Sequence, residues 1–459
     1  MELKKLHQAL KISSFQPNFT SNFQPNLTTN FKPNSEKYFP TTMSQNQNFG
    51  AFKLMGPSSQ SPSKPSQYHS KPSLSPPKLS HHPRKSITTL FSNLDISEQQ
   101  RKALPQDLAK TLRGSWPNWG SISRSSSTNS QAMQLNYTIR MKRNYRELSE
   151  HISDPQDLFN ETCAIINEIR QTKRHEEILA SDLKEELMNI VFSSNFIERA
   201  GLNLQETMKI CQKIFEGENV KAENISERTE EYQAAIQSLI DSKRQWPGDA
   251  NLHHVIQSRR EIIQHAKALD YIVRAIVIDN KPLSEQLICA THEILVNGLD
   301  IPTDNQGPIT WQSYAGKYRQ IPVAADNTCF VVPQHIPRKM QEMIEKFNKD
   351  IEEAEKKQEI DPFHMAAKYS NMFVLIHPFV DGNGRTCRLI LNAILLKYAG
   401  TVVAFGGHDA SREEYITIVK RAGEELTDSQ PEFAAFILEK ASVRLKGLKK
   451  KLMSGLGKK

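Results

Sequence analysis

The chain has 459 residues, more than one average domain, with a mean hydropathy of −0.55 and a formal net charge of +8. The charge is uneven: residues 1–135 carry 16 lysines and arginines against 5 acidic residues, so the remainder is slightly acidic, which argues against a nucleic-acid face on the folded part. Five cysteines stand singly without CxxC pairs, which argues against a disulfide framework or a zinc ribbon, and no apolar run reaches the ~18 residues of a membrane span.

Residues 1–135 are crowded with Ser, Pro, Asn and Gln and read as a disordered, basic, low-complexity region. Its period-eight repeat, Phe15-Gln16-Pro17-Asn18, Phe23-Gln24-Pro25-Asn26 and Phe31-Lys32-Pro33-Asn34, is too short for a solenoid unit, and its prolines oppose helix and central strand. Pro62 to Pro65 form a PxxP that could dock a modular domain, although a solvated linker is the simpler account. Between Ile87 and Trp119 some apolar pattern returns, of the kind short helices carry, before the Ser-rich run 121–130 breaks it. The amino terminus lacks the sustained apolar stretch of a secretory signal. Dispersed cysteines point to a reducing compartment, cytoplasmic or nuclear, with a mitochondrial address as the alternative because residues 1–94 are Ser-rich and acidic-poor.

From about residue 136 the pattern turns helical. Asp154-Pro155 predicts an N-cap and first helical residue for a helix through Leu158, Cys163, Ile166 and Ile169. A second helix is predicted over about 181–199, with Leu183, Leu187, Ile190, Val191 and Ile197 on its apolar side. These helices form a segment 136–216. Residues 217–258, charged and interrupted by Trp246-Pro247-Gly248, read as a helical insertion, and helices resume over 259–278 and 284–297. The HEIL sequence at His292 lacks the second histidine of an HExxH zinc site. At 310–333 the period changes: Tyr318 to Val323, a turn at Asp326-Asn327, then Cys329 to Val332 predict a small β-hairpin leaning on the helical body.

The most informative stretch is HPFVDGNGRTCR, from His377 to Arg388, flanked on both sides by apolar helical patterns. Gly382 and Gly384 allow positive φ and close backbone approach, so successive N–H groups can cradle an anion at the mouth of the following helix. Arg385 and Arg388 supply planar donors suited to phosphate, and Asn383 can hydrogen-bond a phosphate oxygen without adding charge. Asp381 is a hard oxygen ligand of the kind Mg²⁺ takes when it also binds substrate phosphates. His377 can accept a proton near neutral pH. A glycine turn between two helices, with His377 a satisfied core histidine, is the plainer alternative. Beyond it, residues 411–440 carry a helical pattern, and 444–459 read as a frayed, Lys-rich tail.

The stretch resembles the signature of Fic-family nucleotidyl transferases, HPFx[DE]GNGRxxR, at all nine fixed positions: His377, Pro378, Phe379, Asp381, Gly382, Asn383, Gly384, Arg385 and Arg388. The resemblance implies an all-α Fic fold, a helical bundle with one small β-hairpin flap, with its core over 259–443. It implies transfer of AMP from ATP, with Mg²⁺, to a Ser, Thr or Tyr hydroxyl of a target protein. In that scheme His377 is the base, Asp381 holds the metal, and Gly382, Asn383, Gly384, Arg385 and Arg388 bind the nucleotide. Tyr415 resembles the tyrosine that closes the adenine pocket, whereas Ala422 stands near the place of the family's asparagine. Flap residues Tyr318, Arg319, Gln320 and Ile321 would hold the target segment by strand pairing. Ser194 and Glu198 resemble the inhibitory motif [ST]xxxE[GN], in which Glu198 would pair with Arg388; Arg199 departs from it. Many family members form dimers, so a homodimer stays open. So do removal of AMP by the same site, another phosphate-containing cargo, and a scaffold acting through the amino-terminal region.

Overall fold

In the computed structural model, residues 103–115, 154–171, 176–242, 249–302, 307–325, 328–357, 360–424 and 430–456 are described. They form an all-α body. Its centre is a helical hairpin, α10 (Pro362–Ile376) and α11 (Asn383–Ala399), joined by the loop 377–382. Leu389, Ile390, Leu391, Ala393, Ile394, Leu395 and Leu396 are all buried, so α11 is wrapped on every side, as its uninterrupted apolar run requires. Asp361 caps α10 by accepting from the His364 N–H at 3.0 Å, with Pro362 at the first turn.

Around this hairpin stand α3 (Glu176–Ile197), α6 (Leu252–Val273, continued by a π-helical turn Arg274–Ile278), α7 (Glu285–Leu295), α9 (Ile336–Lys357), α12 (Asp409–Glu424) and α13 (Pro431–Leu456), with the short α8 (Trp311–Tyr314) between α7 and α9 in the chain. Helix α6 touches α3, α7 and α11, and also α4 (Leu204–Phe215) and α5 (Glu230–Asp241). Within 217–258, Ala235 and Leu239 of α5 are buried and Arg259 donates to the Ala222 carbonyl, so this segment packs on the body; Trp246-Pro247-Gly248 lies outside the described residues. Helix α2 (Pro155–Gln171) starts where expected, Asp154 accepting from the Gln156 N–H at 2.8 Å.

Three expectations need correction. Helix α1 (Leu104–Ser115) falls in the window 87–119 where short helices are expected, but it is packed on the body although the region 1–135 reads as disordered: Leu104, Leu108 and Leu112 form a stripe four residues apart, buried against α3, and Asp107 pairs with Arg274 at 2.7 Å. The repeat at 15–34, the PxxP and the Ser-rich run lie outside the described residues. The carboxyl-terminal segment read as frayed continues α13 to Leu456, because Leu445, Leu448 and Leu452 are buried and Arg444 and Lys451 pair with Asp182. The hairpin is shorter than expected: β1 (Ala324–Ala325) pairs antiparallel with β2 (Thr328–Cys329), while Tyr318 to Val323 are not in a strand.

Among the described residues no helix is long and apolar enough to cross a membrane, and Cys163, Cys211, Cys289 and Cys387 form no disulfide.

Candidate active site

His377 ends α10 in the left-handed conformation, φ 50°, a strained state for a residue with a Cβ, and its N–H still bonds the Phe373 carbonyl. The chain turns at Phe379, fully buried, and re-enters a helix at Gly382, φ 77°. Two side chains fix the turn. Asn383 accepts from the Phe379 N–H at 3.0 Å and donates to its carbonyl at 2.8 Å, so its side chain is committed to the loop and not offered to a phosphate. His292, buried on α7, stacks flat on Phe379 with ring centroids 3.7 Å apart. Its Nδ1 accepts from the Gly316 N–H at 3.0 Å, which leaves the proton on Nε2 to be donated to the Asp381 carbonyl at 2.8 Å. Burial pushes its pKa down to about 3, so the ring stays neutral. A Cβ at Gly382 would press on this ring, which is a second reason for glycine there.

The first amides of α11 lack intrahelical acceptors. A carboxylate stands against this helix start. Glu198, one residue past α3, accepts from Arg388 Nη2 at 2.6 Å, and a Cβ placed on Gly384 would collide with Glu198 Oε1. Arg388 also donates to Ser194, through Nε to the hydroxyl at 2.7 Å and through Nη2 to the carbonyl at 3.0 Å, and lies 5.7 Å from the centre of the Tyr415 ring. Burial alone would lift the Glu198 carboxyl; Arg388, with Arg385 and Arg412 behind it, overrides this and holds it below the ordinary value. The same pairing keeps the buried Arg388 charged. Tyr415 is itself buried, stacked on Phe405, and its phenol is raised by burial.

Helix α3 ends in a defined way. Arg199 takes φ 54°, which explains why Gly or Asn suits this place, and its guanidinium pairs with Asp409 of α12 at 2.8 Å. Arg412, one turn along α12, donates to the Ile197 carbonyl at 2.8 Å. Asn195 bonds the His265 ring at 2.9 Å and Glu261 accepts from the Gly201 N–H at 2.7 Å, so α6 and α12 grip the segment carrying Glu198 from two sides.

Above His377 lies the flap. Phe330 stacks on the imidazole, centroids 3.9 Å apart and planes 16° apart. Burial pushes the His377 pKa down to about 4; the Val374 carbonyl and Glu198 oppose the shift and Arg319 adds to it. Gln320 is exposed, Tyr318 and Ile321 are half-buried, and Arg319 is fully buried, pointing inward and not toward a target. Asp381 is part-exposed and receives Arg385 Nη2 at 3.1 Å. Among the described residues no cluster of three metal-ligating side chains occurs. A lone, accessible carboxylate fits a cation held mostly by substrate oxygens and water, as Mg²⁺ on a nucleotide is, and not a resident structural metal. The sequence places Arg319 among the flap's target contacts and gives no role to His292 or Phe330; the places they take in the structure arise from contacts across dozens of residues.

Residues 282–395 match the Fic/DOC family. The chain is similar to protein adenylyltransferase fic-1 of Caenorhabditis briggsae, 36% identical over 83 residues, 18% of this chain and 15% of that protein. It is also similar to protein adenylyltransferase Fic of Nematostella vectensis, 26% identical over 162 residues, 35% of this chain and 33% of that protein. The matches thus span a third or less of these two relatives. A Fic domain containing signaling protein from Bacteroides thetaiotaomicron aligns with a TM-score of 0.46 at 19% identity, covering 66% of this chain and 98% of that one. The segment 282–395, which holds α7, the flap, α10, the loop and most of α11, is a Fic/DOC family domain.

Proposed function

We propose that this chain transfers AMP from ATP to a hydroxyl of a target protein and is held off by its own Glu198. The observation that carries this reading is a carboxylate seated in the anion cradle: Glu198 lies against Gly384 and on Arg388, where a nucleotide's terminal phosphate would go. A site that holds its own anion this closely is built for anions. With Glu198 displaced, Arg388 binds the terminal phosphate, Arg385 and the first amides of α11 hold the inner phosphates, and the loop excludes water around them. His377, kept neutral, takes the proton of the target hydroxyl as its oxygen bonds the α-phosphorus and the bond to pyrophosphate breaks. Asp381 would hold Mg²⁺, which supplies positive charge for the phosphate oxygens.

Release of Glu198 should depend on α12. Asp409→Ala removes the ion pair that offsets the left-handed strain at Arg199. An exposed pair of this kind is worth about 1 kcal/mol or less, so basal transfer should rise by at most about fivefold at 1.4 kcal/mol per decade. Label incorporated from ATP by wild type and variant measures it; an unchanged rate separates α12 from inhibition.

The test of the function itself is retention of label on protein from α-labelled but not γ-labelled ATP, strongest when Glu198 is replaced by glycine.

A further inference from the structure

Arg319 is among the largest fully buried side chains, and among the described residues its guanidinium meets no carboxylate. Its partners are carbonyl oxygens from two separate segments. Nε donates to His377 at 2.7 Å and Nη2 reaches Ile376 at 3.5 Å, both at the end of α10. Nη1 donates to Ile321 at 2.7 Å, on the way into the flap, and Nη2 donates to Val331, on the way out. The Arg319 N–H adds a bond to the Pro378 carbonyl at 2.9 Å. Burying a cation is unfavourable unless every donor is used, and only a planar fork of donors can serve carbonyls converging from both sides; an ammonium cannot.

The consequence reaches the reacting centre. Val331 follows Phe330, whose ring covers His377, and the carbonyls of Val331 and His377 are held by the same guanidinium. His377 is also strained, at φ 50°, and its carbonyl is fixed by Arg319 while its N–H stays on α10. One side chain therefore sets the spacing between the flap and the base.

We infer that Arg319 is a positioning residue that locks both legs of the flap to the backbone of His377, so that a target segment lying along the flap delivers its hydroxyl to the imidazole. This rests on the transferase reading and deepens it. The residue is not a contact for the target, and a conservative change to lysine is not conservative here.

The test uses the full chain carrying Glu198→Gly, with Arg319→Lys or Arg319→Gln added, and follows self-labelling from α-labelled ATP. Both additions should lower the rate at saturating ATP by about 100-fold, the penalty of a misplaced reacting group, while half-saturating ATP and the thermal shift given by Mg²⁺·ATP stay within about twofold. Among the described residues the charged groups acting on His377 are Arg319 and Glu198. With Glu198 gone, only the glutamine variant should move the acid limb of the rate profile to higher pH, because loss of the positive charge makes the imidazole easier to protonate. An unchanged rate in the lysine variant, or an equal loss in ATP binding, overturns the inference. If Glu198→Gly alone takes no label, the transferase reading fails separately. The clamp is then read in the wild-type chain, as it is if the Arg319 variants do not fold: amides of 318–321, 323, 330–332, 376, 377 and 379 should open together in hydrogen exchange, and independent opening overturns it.

Discussion

Glu198→Gly is expected to raise the rate of label transfer from ATP by orders of magnitude. Breaking a buried ion pair by removing one partner is worth about 3–5 kcal/mol, which at about 1.4 kcal/mol per decade corresponds to roughly 10²-fold to a few times 10³-fold in the population able to bind nucleotide productively. The same change leaves Arg388, 3% exposed, without its carboxylate. The nucleotide-free variant should therefore unfold at a lower temperature than wild type and gain more from Mg²⁺·ATP, since ligand that binds only the folded state stabilises it by mass action. Scanning fluorimetry with and without nucleotide reads both effects. Equal thermal shifts in the two proteins would mean that Glu198 does not occupy the nucleotide's place. Acidification mimics the substitution only at low pH: the depressed Glu198 pKa means that the pair is intact above the ordinary carboxyl range and is lost as pH falls through the lower folded value.

His377→Ala, made in the Glu198→Gly chain, should remove transfer by about 10²–10⁴-fold, the usual contribution of a general base, while leaving nucleotide binding in place. The arrangement separates these steps, because the cradle is built from Gly382, Gly384, Arg385 and Arg388 and the imidazole stands one turn earlier. Burial beneath Phe330 puts the His377 pKa at about 4, so the base is available throughout the neutral range and the rate should fall only as pH drops toward that value. Phe330→Ala, by wetting the ring, should carry the acid limb upward toward the ordinary value of about 6.5. A limb that does not move assigns the proton transfer to another group.

The centre of this site was legible because its chemistry is local. Twelve consecutive residues, from His377 to Arg388, hold the histidine, the two glycines and both arginines on which the proposed chemistry rests, and the apolar runs on either side declare the two helices that present them. What the sequence concealed is long-range. His292 reaches the Asp381 carbonyl across 89 positions and Arg319 reaches His377 across 58, and neither spacing leaves a periodic trace. Read locally, His292 looked like half of a zinc motif and Arg319 like a flap contact; burial and two-sided bonding give them different work. Asn383 illustrates the same limit in reverse: its amide suits a phosphate, yet the nearest unpaired backbone groups were those of Phe379. Helix α1 falls where the apolar pattern at 87–119 suggests short helices, but three leucines in a short window, diluted by Ser- and Pro-rich flanks, do not show that it packs on the body. Arg199 looked like a defect in the inhibitory motif until its left-handed backbone and its partner Asp409 were seen together.

The most direct measurement is a comparison of α-labelled and γ-labelled ATP on three full-length proteins: wild type, Glu198→Gly, and Glu198→Gly with His377→Ala. Label should stay on protein from the α position alone, weakly in wild type, strongly in Glu198→Gly and at background in the double variant. Retention from the γ position, or equal labelling with and without His377, would contradict AMP transfer by this loop.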